Sequence, residues 1–147
     1  MRNKSFATLG TLALLAAASA FGQQSVPFDI PFEFHLANTV MPAGHYDVDL
    51  SAINTRGLLS VGCHGCRVRP MALTYGVGGG NDTPTNGRLV FNKYGDTYFL
   101  SEVWSSGYAQ GSALYKSKTE RELARTTAKT ARVTPAAQTS VVLLARR

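Results

Sequence analysis

Val26-Pro27-Phe28-Asp29-Ile30-Pro31-Phe32-Glu33-Phe34-His35-Leu36 decides the fold class. Every second residue from Val26 to Leu36 is apolar, and proline, charged and imidazole side chains lie between them. A strict period of two places one set of side chains on each face of an extended chain, so this stretch reads as a half-buried strand. Pro31 has no N–H to give to a ladder, so the strand must lie at a sheet edge or be split there into two. Residues 38–44, with Met41-Pro42-Ala43-Gly44, read as a turn. Tyr46, Val48 and Leu50 then alternate with His45, Asp47 and Asp49, which gives a second strand of the same kind.

Further strands follow at Leu58–Val61 and Val68–Tyr75, with Gly62-Cys63-His64-Gly65-Cys66 near the hairpin tip between them. Residues 76–87 are rich in Gly, Asn, Asp, Thr and Pro and read as a surface loop. The loop lacks the G-K-[ST] of a phosphate loop, and its Asn81-Asp82-Thr83 sequon is a short signal. Arg88–Lys93 and Thr97–Trp104 are strands joined at Tyr94-Gly95-Asp96, and both are apolar on two faces, which places them mid-sheet. Residues 105–111 read as another loop. Ser117 followed by Glu120 fits a capping box, in which hydroxyl and carboxylate satisfy each other's backbone donors, so a helix is expected from about Lys118 to Ala131. Its apolar stripe is thin, with Leu123 among alanines. Val141-Val142-Leu143-Leu144 gives a last strand, within residues 139–145. The expected fold is all-β: a small antiparallel barrel or two-layer sandwich of about seven strands with a short C-terminal helix.

The ends of the chain differ from this body. Arg2 and Lys4 precede a mostly apolar, uncharged run from Phe6 to Ala18, and small residues follow at 18–22. This is the layout of a secretory signal peptide over residues 1–22. The run is shorter than the roughly 20 residues a membrane-spanning helix needs, so an exported, not membrane-spanning protein is expected, periplasmic or secreted. Residues 23–115 form the β-rich part and residues 116–147 a basic helix and tail. The whole sequence has net charge +6. Residues 116–147 alone carry eight basic and two acidic side chains, whereas residues 23–115 carry five and seven. A basic tail can make weak contact with an anionic surface; it also keeps a chain soluble. No nucleic-acid module is present, and export argues against such a partner.

Three groups of residues can carry chemistry. Cys63 and Cys66 form a C-x-x-C, which outside the cytosol can be a structural disulfide, a redox pair or, with His64, part of a metal site. The redox reading needs a helix N-terminus at the first cysteine, and the flanks read as strands. The metal reading needs two more ligands, and no second C-x-x-C exists. His35 and His45 fall on the outward side of the first strands with Glu33, Asp47 and Asp49, a polar surface able to take an ion or a cationic ligand. A strand with one wet face places polar residues there by default. Tyr94, Tyr98, Trp104 and Tyr108 can line a sugar- or lipid-binding face, although core packing accounts for most of them. No nucleophile elbow or spaced acid–base pair appears, and no cofactor is called for.

Phe32-Glu33-Phe34, Met41-Pro42-Ala43-Gly44-His45-Tyr46-Asp47-Val48, the run Leu89–Leu100, Trp104, Gly111, Leu114 and Ser117–Leu123 together resemble a group of small exported bacterial β-rich proteins. Their layout is PAG-x-Y-x-V … L-x-F-x-x-YG-x-x-YFL … W … G-x-x-L-x-x-S-x-x-ER-x-L. The resemblance implies export and a β-rich fold over residues 26–124. It brings no activity, ligand or catalytic residue, and the C-x-x-C is not part of the layout. Function is therefore expected in this order: a non-enzymatic envelope or secreted module that binds an unidentified ligand or protein, then a metal or thiol–disulfide protein acting through Cys63 and Cys66, then an enzyme.

Overall fold

The alternation in Val26–Leu36 becomes two strands in two different sheets. The computed structural model describes residues 25–50, 53, 57–63, 65, 69–78, 83–131 and 139–146. The expected signal peptide, residues 1–22, lies outside them. β1 (Ser25–Ile30) ends just before Pro31, and β2 (Phe34–Leu36) begins after a three-residue break. Both outcomes expected of Pro31 occur together. β1 is an edge strand, pairing in the sheet only with β4 (Gly44–Asp49), and the break carries the chain across to the second sheet.

Ten strands are present among the described residues. In chain order the others are β3 (Thr39–Met41), β5 (Leu58–Cys63), β6 (Met71–Gly78), β7 (Arg88–Tyr94), β8 (Thr97–Trp104), β9 (Gln110–Leu114) and β10 (Thr139–Leu144). The first sheet runs β1–β4–β5–β6, all antiparallel. β6 then serves as a corner: Met71–Leu73 pair with β5, and Thr74–Gly78 pair with β9. The second sheet continues through β8, which has β7 on one edge and both β9 and β2 on the other. β3 pairs with β2, and β10 pairs with β7. The arrangement is sandwich-like and all-β, not a closed barrel.

Four details differ from the sequence expectation. The strand number is ten rather than about seven, because the first strand splits and β3 and β9 are added. β3 occupies what reads as a turn; only Ala37-Asn38 and Pro42-Ala43 turn there, and Ala37 takes a positive φ of 52°. Gly76–Gly78 belong to β6, not to a loop, because Gly76 and Gly78 pair with Ser112 and Gln110 of β9; residues 79–82 lie outside the described residues. The β2–β8 pairing is parallel, with Phe34 opposite Tyr98.

The core lies between the sheets. Phe28, Ile30, Phe34, Leu36, Tyr46, Val48, Leu59, Val61, Leu89 and Phe91 are all fully buried there. Rings fill much of it: Phe91 packs edge-on against Phe32 and Phe34, at centroid distances of 5.3 and 5.4 Å. Burial of this apolar area is the main stabilising term of the fold.

A β-bulge explains why β7 and β8 are apolar on both faces. Val90 lies opposite Glu102 but Phe91 opposite Leu100, so Ser101 is the extra residue. The insertion re-phases β8: Leu100 faces the core and Phe99 faces outward. Gly95 takes a φ of 60° in the two-residue turn joining the strands, a conformation that suits glycine. Tyr94, Phe99, Trp104 and Ala113 are buried yet lie outside the main core cluster. They line the outer face of the second sheet, partly under helix α1 (Lys118–Ala131).

Helix α1 forms where its cap predicts. The Glu120 N–H donates to Ser117 Oγ at 3.2 Å, and the Arg121 N–H donates to the Ser117 carbonyl at 3.1 Å. The capping box is only half made, because the Glu120 carboxylate turns away to the sheet. No helix among the described residues is long and apolar enough to cross a membrane.

Candidate functional site

Beside the N-terminal end of α1, on the outer face of the second sheet, is a cleft of about 370 Å³. The register of the sheet builds its floor. Tyr75 of β6, Ala113 of β9 and Glu102 of β8 lie side by side across three strands. Asn92 of β7 and Ser140 of β10 form a second row. Ser101, the bulged residue, also opens into the cleft, Lys116 enters from the segment leading into α1, and Glu120 enters from its first turn. The bulge matters here, since it sets which residues of β8 share a face with Asn92.

Glu120 is the most unusual group in the cleft. It is only 4% exposed. A carboxylate this buried needs partners, and it has two on one oxygen. Asn92 Nδ2 donates to Oε1 at 2.9 Å, and the Tyr94 hydroxyl donates to the same oxygen at 3.4 Å. Lys116 Nζ in turn donates to the Tyr94 hydroxyl at 3.5 Å. Oε2 accepts no hydrogen bond among the described residues, and the side chain lines the cleft. Burial pushes the Tyr94 hydroxyl pKa above its ordinary value; the negative charge of Glu120 adds to the rise and Lys116 opposes it. Burial alone raises Tyr46 in the same way.

Glu102 is held differently. Trp104 Nε1 donates to its Oε2 at 2.8 Å. Trp104 itself lies between the Arg88 guanidinium, 4.5 Å above its ring, and Gly111. A Cβ on Gly111 would fall 2.5 Å from that ring, so only glycine admits the indole there. At one side of the cleft Tyr75 pairs with Tyr115, with ring centroids 4.9 Å apart, and both are exposed.

The expected polar surface does not gather as one. His45, Asp47 and Asp49 share the outward face of β4, and the β1 register adds Asp29 beside His45. His45 Nδ1 contacts the Asp29 carboxylate, and Arg146 Nη1 lies 3.6 Å from the other Asp29 oxygen. These groups border a shallow cleft of about 300 Å³. His35, in contrast, belongs to the second sheet, where its ring stacks on Phe99 at 4.6 Å. Glu33 lies in the break between β1 and β2. The Pro31 split sends His35 to the second sheet and leaves His45 in the first.

Cys63 ends β5, opposite Tyr46, and packs partly buried against the core. His64 and Cys66 lie outside the described residues. Among the described residues no three His, Cys, Asp or Glu side chains cluster in a way that could hold a metal ion. Of the aromatic residues flagged in the sequence, Tyr94 and Trp104 are buried, Tyr98 stacks on Phe32 at 4.0 Å, and Tyr108 is exposed.

No protein family, curated protein or solved structure matches the chain. The site must therefore be read from its own chemistry. Sequence reasoning found Ser117 and Glu120 as a local cap but missed the cleft. No signal along the chain tells that a first-turn glutamate reaches a strand 28 residues away.

Proposed function

We propose that this protein is an exported, non-enzymatic binding module whose cleft on the outer sheet face takes a small polar ligand. Glu120 carries the reading. A buried carboxylate with one oxygen tied to Asn92 and Tyr94 and the other facing a cleft is a pre-placed acceptor. The second oxygen is not among the fully buried polar atoms that lack a partner, so a ligand donor can reach it in place of water. Binding is favoured over catalysis because the polar groups are spent on one another: Asn92 and Tyr94 on Glu120, Trp104 on Glu102.

Export rests on the layout of residues 1–22, and the resemblance to small exported β-rich proteins agrees with it. Cys63 and Cys66 then form a structural disulfide. The packing of Cys63 against the core supports this, since reactive cysteines are solvent-accessible.

The test is a native mass spectrum of the protein from the exported fraction, purified without reductant, with an amide-shift titration of the same material against a panel of polar metabolites. A mass two hydrogens below the reduced chain and ligand shifts confined to Tyr75, Asn92, Ser101, Glu102 and Glu120 are expected. A bound metal at the cysteines, or ligands that all map away from the cleft, would overturn the reading.

A further inference from the structure

We infer that the ligand of the outer-face cleft is an amine-bearing saccharide of one or two rings, an inference that rests on the binding reading above. Size comes first. The cleft volume of about 370 Å³ lies at the small end of the usual range for ligand sites and suits one or two sugar rings rather than a longer chain.

Charge decides the class. Two carboxylates, Glu102 and Glu120, and one ammonium, Lys116, line the cleft, so it is locally negative in a protein of net charge +6. The ammonium of Lys116 is directed to the Tyr94 hydroxyl. Glu120 Oε2 has no donor among the described residues. A carboxylate oxygen left open to the cleft gains most from a charged donor, because charge-assisted hydrogen bonds are about twice as strong as neutral ones. A protonated sugar amine supplies that donor.

The remaining lining suits the rest of such a molecule. Ser101 and Ser140 offer hydroxyls that both donate and accept, which matches ring hydroxyls. Tyr75 lines the cleft, and Tyr115 packs against it from outside the lining; they present aromatic surface at 45% and 61% exposure. An aromatic face takes the C–H face of a pyranose, and its quadrupole also favours a nearby cation. Neither tyrosine belongs to the core cluster, so both rings are available to a ligand.

The test compares three disaccharides with one skeleton: the β-1,4-linked dimer of glucosamine, its N-acetylated form, and cellobiose. Each is titrated into the isotope-labelled exported protein at about pH 6, where a free amine carries its proton. The glucosamine dimer should shift the amides of Tyr75, Ser101, Glu102 and Glu120 and bind about tenfold more tightly than cellobiose. Glu102→Gln, which keeps an oxygen for Trp104 Nε1 and removes one negative charge from the cleft, should reduce that preference. Equal binding of all three sugars in the cleft would overturn the amine class while leaving the binding reading intact. Shifts by the glucosamine dimer at Asp29, Asp47 and Asp49 alone would overturn the site assignment as unselective charge attraction. If other polar metabolites occupy the cleft and no sugar does, the saccharide class is wrong. If no small molecule occupies it, the binding reading itself fails.

Discussion

On the inner face of the second sheet, Leu89, Phe91, Leu100 and Val103 meet the first sheet through apolar contact alone. On the outer face, Tyr94, Phe99 and Trp104 share their space with Asn92, Glu102 and Glu120. The same strands, β7 and β8, therefore face two environments. The inner face gains free energy from every side chain it buries. The outer face gives up part of that gain to keep carboxylates where an apolar residue would pack as well, and such networks add little net stability. The difference separates what holds the protein together from what equips it to bind.

The comparison yields graded expectations. Phe91→Ala should have the largest effect, because it opens a cavity among Phe32, Phe34 and Leu89; a loss of about 3–5 kcal/mol in urea unfolding is expected, with helix and sheet lost together. Glu120→Ala should cost less, about 1–3 kcal/mol, from removing the carboxylate oxygen that accepts from Asn92 and Tyr94. Circular dichroism should show its helical signal weakened while the sheet signal stays, since few apolar groups hold α1.

A pH dependence follows from the tyrosines. Tyr46 and Tyr94 both have raised values, so the folded state keeps these protons longer than the unfolded chain does. Their contribution is complete below the ordinary tyrosine pKa of about 10 and is lost as pH rises through the higher folded values. Spectrophotometric titration should show Tyr46 and Tyr94 ionising late, and Tyr94→Phe should remove part of that late signal. The smallest effect belongs to Asp29→Asn. The pair with His45 and Arg146 is exposed and screened, so stability should change by about 0–1 kcal/mol and less at high salt. A larger loss would show that the Arg146 end of the chain latches the sandwich edge.

The sequence carried the inner face more clearly than the outer one. Alternation from Val26 to Leu36 and from His45 to Leu50 reports burial directly, and Pro31, Gly95 and Ser117 mark a break, a turn and a cap by chemistry local to each. β3 and β9 were not legible, because three to five residues with few large apolar groups owe their extension to a neighbouring strand. Gly76 and Gly78 look like loop residues until β9 pairs with them. The separation of His35 from His45 depends on which sheet each half of the split strand joins. The cleft depends on the bulge at Ser101 and on a glutamate acting far from its place in the chain, and neither leaves a periodic trace.

The urea unfolding midpoint of the triple variant Glu120→Leu, Asn92→Leu, Tyr94→Phe decides whether the buried glutamate serves binding or stability. If the network serves binding rather than stability, removing Glu120 together with its two hydrogen-bond donors should leave the protein as stable as the parent, or more so. A midpoint well below the parent's, with α1 lost, would contradict the account and make Glu120 a structural anchor.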